Sequence, residues 1–127
     1  MLVNFTNHPS NKWGKEQIAE AEQSFGHIVD LPFPSVPTDA DTKQISELAD
    51  EQIHKIAALL SNRKETANAV LCQGEFTLAF AVIARLLSRG VMVISAVSDR
   101  VVSETQVEGE THKDVVFRFA GFRAYIF

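Results

Sequence analysis

The chain has one cysteine, Cys72, so no intrachain disulfide can form and no cysteine-based zinc cluster can be assembled. That lone thiol closes an apolar run, where cysteine ordinarily serves as inert packing. No run of about 20 apolar residues occurs, so no transmembrane helix is expected. Strand-like Leu2-Val3-Asn4-Phe5 follows Met1 directly and leaves no room for a signal peptide. A cytoplasmic protein is therefore expected, and the sequon Asn4-Phe5-Thr6 carries no meaning for glycosylation. Basic residues are outnumbered. A net charge of −4 argues against sequence-blind binding of DNA or RNA, which needs a basic face. It leaves room for one small anion held by a few local donors. The Gly-x-x-x-x-Gly-Lys-Ser/Thr and Gly-x-Gly-x-x-Gly patterns are both missing, which excludes a P-loop and argues against a dinucleotide redox cofactor. Histidines at 8, 27, 54 and 112 share no metal-ligand spacing, and Asp39 and Asp41 lie in a connection. No metal and no cofactor is expected. No Ser-His-Asp arrangement follows from spacing. The first strand runs into Thr6-Asn7, not into the acidic pair of a receiver domain. Repeats and low-complexity segments are absent.

What remains is ordinary for one globular domain over residues 1–127, with 46% hydrophobic and 22% charged residues. It is organised around Ala69 to Ser95. Ala69-Val70-Leu71-Cys72 has the length of a buried strand, and Gln73-Gly74-Glu75 interrupts it. Apolar residues then recur at helical spacing from Phe76 to Arg89, Gly90 stops the helix, and Val91-Met92-Val93-Ile94 is a second buried run. Strand, turn, helix, strand is the βαβ unit of a parallel sheet. Ligands of such sheets bind beyond the carboxyl ends of the strands.

The rest of the chain fits around that unit. Leu2 to Phe5 reads as the first strand, followed by a polar loop. A helix is expected from about Lys12 to Ser24, with Trp13, Ile18, Ala21 and Phe25 near one face and Gly26 at its end. His27 to Leu31 reads as a second strand. Pro32, Pro34 and Pro37 make residues 32–40 an exposed connection. Asp41 and Gln44 form a capping box for a second helix. Its apolar stripe is Ile45, Leu48, Ala49, Ile53, Ile56, Ala57 and Leu60. Polar Ser61 to Asn68 returns the chain to the βαβ unit. Alternation from Arg100 to Glu108, a turn at Glu108-Gly109-Glu110, and alternation from Val115 to Phe119 predict an antiparallel extension. Phe122, Tyr125, Ile126 and Phe127 end the chain in apolar side chains, either as a strand of the sheet or as a subunit interface.

Three loops are expected to converge at the carboxyl edge. In the first, His8 is a candidate general acid or base, and Ser10 and Lys12 are candidate phosphate holders beside Thr6, Asn7 and Asn11. The plainer alternative is that Asn7, Ser10 and Asn11 cap a helix while His8 is a solvated turn residue. In the second loop, Gly74 allows close backbone approach to a ligand, Thr77 adds a hydroxyl, and the Gln73 amide points into the crevice. Glu75 either satisfies a helix dipole or supplies a base. In the third loop, Ser95 and Ser98 offer hydroxyls, and Arg100 either pairs with Asp99 or neutralises a phosphate. Two of these loops open helices, whose free N–H groups favour phosphate.

The run Asn4-Phe5-Thr6-Asn7-His8-Pro9 and the Gln73-Gly74-Glu75 turn resemble the small stand-alone CRISPR-associated proteins of the CARF superfamily. Several short members begin with a strand ending in an Asn-hydrophobic-Ser/Thr-His-Pro pattern. Beyond the first ten or so residues the likeness is one of layout, and the long β extension after Ser95 departs from the shortest members. The resemblance implies an α/β Rossmann-like three-layer fold with a mainly parallel sheet, to which the alternation after Arg100 adds the C-terminal antiparallel β extension. It implies a homodimer that binds a cyclic oligoadenylate across its two-fold axis in type III CRISPR antiviral signalling. Stand-alone members can be metal-independent ring nucleases that open the messenger, and others only bind it. The family's ligand-facing loops fall on Asn7, His8 and Ser10, and on Gln73, Gly74 and Glu75. The alternatives are a binding-only sensor or sponge and an unrelated small nucleotide or sugar-phosphate enzyme using Glu75 or Asp99. An assembly role, with Tyr125-Ile126-Phe127 as the working surface, is a third.

Overall fold

Two uninterrupted apolar runs make the centre of the sheet, β1 (Leu2–Phe5) and β3 (Ala69–Cys72), each buried along its whole length. They pair in parallel, with Leu2 opposite Ala69 and Phe5 opposite Cys72. Continuous apolar strands of this kind are those covered on both faces. The computed structural model describes residues 1–61 and 67–127. Around the central pair it places α1 (Lys15–Phe25), β2 (Ile28–Asp30), α2 (Thr42–Ser61), α3 (Phe76–Ser88), β4 (Met92–Val107) and β5 (Glu110–Ala124). The result is an α/β fold with one mixed sheet, ordered β2-β1-β3-β4-β5. Its first four strands run parallel, and β5 pairs antiparallel with β4.

Alternation along the strands sends their side chains to two cores. Val3, Phe5, Val70, Cys72 and Val93 pack with Ile53 and Ile56 of α2 and with Leu78, Val82 and Leu86 of α3. Leu2, Leu71 and Ile94 pack with Ala21, and Trp13 and Phe25 close over them. In α2 the capping box forms in both directions, Gln44 N–H to Asp41 Oδ1 and Asp41 N–H to Gln44 Oε1, each 2.8 Å. The buried stripe of α2 is narrower than its apolar pattern suggests. Gln52, lying between Ala49 and Ile56 on the inner line, is buried, whereas Ala57 is turned outward. The polar return from Ser61 to Asn68 lies mostly outside the described residues.

Three expectations need correction. The first helix starts at Lys15, not near Lys12, because Ser10–Lys12 closes a separate 3-10 turn and Trp13 and Gly14 are extended. The proline-rich connection is not wholly exposed. Leu31 N–H donates to Asn4 O and Phe33 N–H to Thr6 O, laying the chain along β1 and burying Phe33 against Phe5 at 4.8 Å between ring centroids. Thirdly, Ser95 to Arg100 is no loop. Strand β4 runs without a break for 16 residues, because antiparallel pairing with β5 takes over where pairing with β3 ends at Ile94.

Past a bulge at Val97/Ser98, β4 and β5 leave the body as a two-stranded arm. A turn at Glu108-Gly109, both with positive φ (54° and 79°), joins them, as a type I′ hairpin requires. The last apolar residues divide. Tyr125 docks, its N–H donating to Val93 O and its hydroxyl to Cys72 O, while Ile126 and Phe127 stand in solvent. Among the described residues no helix is long and apolar enough to cross a membrane.

Candidate functional site

The strand order fixes where a cleft must open. From β1 the chain departs through α1 to β2 on one side, and from β3 through α3 to β4 on the other. Connections that diverge in this way leave a crevice beyond the carboxyl ends of the two strands. A cleft of about 330 Å³ lies there. The loop after β1 contributes Thr6, His8 and Lys12, the approach to α1 contributes Trp13, Gly14 and Gln17, and the sheet contributes Leu71, Gln73, Ala96 and Ser98.

A polar network not anticipated from the sequence holds the first loop. Asn4 is the one polar side chain of β1 and is almost fully buried. Its Nδ2 donates to His8 O and to Asp30 Oδ1, both at 2.8 Å. Its Oδ1 accepts from the Thr6 hydroxyl at 2.8 Å, so every polar function of the amide is used, as burial demands. Thr6 Oγ1 accepts from His8 N–H at 3.1 Å, and Trp13 Nε1 donates to His8 O at 3.0 Å. The His8 backbone is thus fixed at both its N–H and its carbonyl while the side chain lines the cleft. Asp30, at the end of β2, accepts from Ser10 N–H (3.2 Å) and from Ser10 Oγ (2.9 Å). The signal that could have revealed this was an amide inside an apolar strand, which must find partners.

Gln73 sits at the mouth of the cleft. Its Oε1 accepts from Ala96 N–H at 3.0 Å, and since a backbone N–H can only donate, the NH₂ is the group left to face a ligand. Cleft polarity therefore comes from an imidazole, one lysine, the two amides of Gln17 and Gln73, and two hydroxyls. The approach to α1 also matters. Gly14 is its N-cap, and no side chain caps that helix end.

The remaining expected site residues lie elsewhere. Asn7 lines a smaller cavity of about 170 Å³ with Asn4, Pro9 and Asp30. Ser10 neither caps α1 nor lines the cleft, because its hydroxyl is bound to Asp30. Asn11 is exposed in the 3-10 turn. Gly74 meets a different neighbour from the one expected. A Cβ there would fall 2.6 Å from three ring atoms of Phe33, so the close approach is made by a side chain of the same chain. Glu75 is the N-cap of α3, accepting from Thr77 N–H (3.0 Å), Thr77 Oγ1 (2.7 Å) and Leu78 N–H (2.8 Å). The Leu78 N–H bond, followed by those from Thr77, holds its carboxyl below the ordinary glutamate range. Glu75 and Thr77 are thus bound to each other.

Ser95 and Ser98 are an odd number of residues apart on β4, so they face opposite sides of the sheet. Only Ser98 reaches the cleft. Arg100 stands on the arm opposite Phe117, and Asp99 stands opposite Arg118. As neighbours on one strand Asp99 and Arg100 point apart and do not form the expected pair. Cys72 lies in the core covered by α2 and α3, where burial pushes its thiol up to about 12 and leaves it without nucleophilic character near neutral pH. Among the described residues no three His, Cys, Asp or Glu side chains gather where they could hold a metal ion.

Fold and cleft together define an α/β protein with a polar ligand-sized crevice at the point where its strand order reverses. The sequence profile of the Uncharacterized protein MJ1673 family matches residues 1–123, and the chain belongs to that family. No curated protein and no solved structure matches the chain.

Proposed function

We propose that this protein is a Rossmann-like, three-layer domain of the stand-alone CRISPR-associated type, acting as a cytoplasmic homodimer that binds a cyclic oligoadenylate and opens it without a metal. The observation that carries this reading is the convergence of His8, Lys12 and Gln73 on one polar cleft between the ends of β1 and β3. At about 330 Å³ the cleft is at the small end of ligand sites and suits one nucleotide unit, so a ring of several units must be shared between two copies. In the proposed reaction a ribose 2′-oxygen bonds to the adjacent phosphorus and the bond from phosphorus to the 5′-oxygen breaks. The 2′-hydroxyl proton leaves and the 5′-oxygen gains one, giving a cyclic phosphate end and a hydroxyl end. His8 moves the proton, Lys12 and the uncapped start of α1 stabilise the charged phosphate, and Gln73 orients it. Ser10 acts by holding the loop through Asp30.

A binding-only module is the second reading, favoured by one observation. The Ser10 hydroxyl and the Glu75 carboxylate are both engaged within the protein, so few groups remain to move protons. A thermal shift with cyclic tetra- and hexa-adenylate, followed by chromatography of the same mixtures, separates the two. Stabilisation with linear products that vanish in His8→Ala supports cleavage. Stabilisation without products leaves a sensor or sponge. No shift with either ring removes the cyclic-oligoadenylate reading altogether.

A further inference from the structure

The four most exposed large hydrophobic side chains among the described residues are Phe76 (89%), Phe80 (74%), Ile126 (87%) and Phe127 (92%). All four line one groove. Phe76 and Phe80 are one turn apart on α3, and between Phe76 and Ala84 that helix carries no charged residue. These two rings form a ridge with a groove on either side. One groove, about 880 Å³, runs between the ridge and Val36, Pro37 and Ile45, and carries Asp41, Glu75 and Arg85 on its walls. The other, about 790 Å³, runs between the ridge and Leu87, Tyr125 and the terminal Phe127.

We propose that this ridge and its grooves are the two-fold interface between two copies of the chain. A ridge of residues four apart, flanked on the Leu87 side by a groove of the same apolar character, complements itself. After a two-fold rotation the Phe76–Phe80 ridge of one copy falls into the groove of its partner, as packed helices interlock. Absence of charged side chains from the ridge and from the groove beside Leu87 and Tyr125 points to the same occupant. A charged partner finds no counter-charge along Phe76 to Ala84, whereas a second copy brings only more apolar surface, and interface centres are depleted of charge. The size is adequate. Aromatic side chains bury about 150–250 Å² each, so the three exposed phenylalanines, with Ile126 beside them, supply on the order of 600 Å² per copy. With the groove walls this reaches the roughly 800 Å² per partner of a specific interface. Gln73 borders both this surface and the cleft, so pairing here brings two clefts to adjoining edges. The inference shares with the proposed function only its expectation of a second copy.

Sedimentation equilibrium without nucleotide tests it. The wild-type protein is expected at twice 14.1 kDa. Phe80→Glu is expected to dissociate with an affinity about 100-fold weaker and an unchanged far-ultraviolet circular dichroism spectrum. Gln23→Glu, the same charge change on the exposed side of α1, should remain dimeric. Deletion of Ile126 and Phe127, which lie outside every helix and strand, should also weaken pairing, and it decides the matter if Phe80→Glu does not fold. A monomeric wild type at concentrations well above micromolar, or a folded Phe80→Glu or tail-deleted protein that pairs like wild type, overturns the proposal. A dimer without any nucleotide response would sink the functional reading while leaving this interface standing. A monomer that still responds to nucleotide would do the reverse.

Discussion

The ring of Phe33 occupies the space where a side chain on Gly74 would begin, with three ring atoms 2.6 Å from a Cβ built at that position. Phe33 is held there by Phe5 beneath it and by the bond from its N–H to Thr6 O. The connection after β2 and the turn after β3 are thereby locked together over the end of β1. Glycine at 74 is a packing requirement.

Gly74→Ala should therefore cost stability, because the buried ring has little freedom to retreat. A loss of about 1–3 kcal/mol is expected, in the range for overpacking a filled site. Phe33→Leu alone should also destabilise, but the double variant should lose less than the sum of the two. A double-mutant cycle by urea unfolding measures the coupling, and simple additivity would show that the two residues do not constrain each other.

Asp30 should matter for the cleft without touching it. Asp30→Ala removes the acceptor of Asn4 Nδ2 and of both Ser10 donors, at a cost of about 1–2 kcal/mol. The loop carrying His8 should loosen, seen as faster amide exchange at residues 8–12, and ligand-induced stabilisation should shrink. Ser10→Ala keeps the backbone donor and should have the milder effect. Equal losses would mean that the Ser10 hydroxyl has a role beyond this bond.

The Glu75 cap makes part of the stability pH-dependent. Its folded pKa is lowered by the N–H groups of Leu78 and Thr77 and the Thr77 hydroxyl. Its contribution is thus fully present above the ordinary glutamate pKa of about 4.3 and is lost as pH falls through the lower folded value. Glu75→Gln should melt about 3 °C below wild type at neutral pH, and the gap should close at acid pH. A gap of constant size across the range would rule out the carboxylate as its source.

The β4–β5 arm should behave as a unit of low stability. From Ser98 to Arg118 every residue is exposed, and a lone two-stranded ribbon reaching roughly 30 Å from the body is marginal in water. Hydrogen exchange should be fast beyond the Val97/Ser98 bulge and slow in β1 and β3. Replacing residues 98–119 by a short turn should leave the body folded with little change in melting temperature. Loss of folding would show that the arm supports the core.

Local patterns sufficed where one short stretch decides the outcome. Four-residue apolar runs became the buried strands Leu2–Phe5 and Ala69–Cys72, the Asp41–Gln44 spacing became a reciprocal cap, and Gly26 and Gly90 ended their helices with positive φ. The alternation after Arg100 announced an antiparallel pair, though not that β4 would continue into it from Met92. The site was another matter, because its composition depends on residues far apart in the chain. Whether Ser95 or Ser98 faces the cleft follows from strand parity once β4 is continuous. That Ser10 is spoken for depends on Asp30, 20 residues away, and that Gly74 serves Phe33 depends on a proline-rich segment folding back over β1. The sequence by itself determined most of the elements and the edge of the sheet at which the cleft opens, since those rest on periodicity and capping between near neighbours. Only the tertiary structure decided which polar groups are consumed by partners and which face the cleft, because each hydrogen-bonding group has few places and distant residues compete for them.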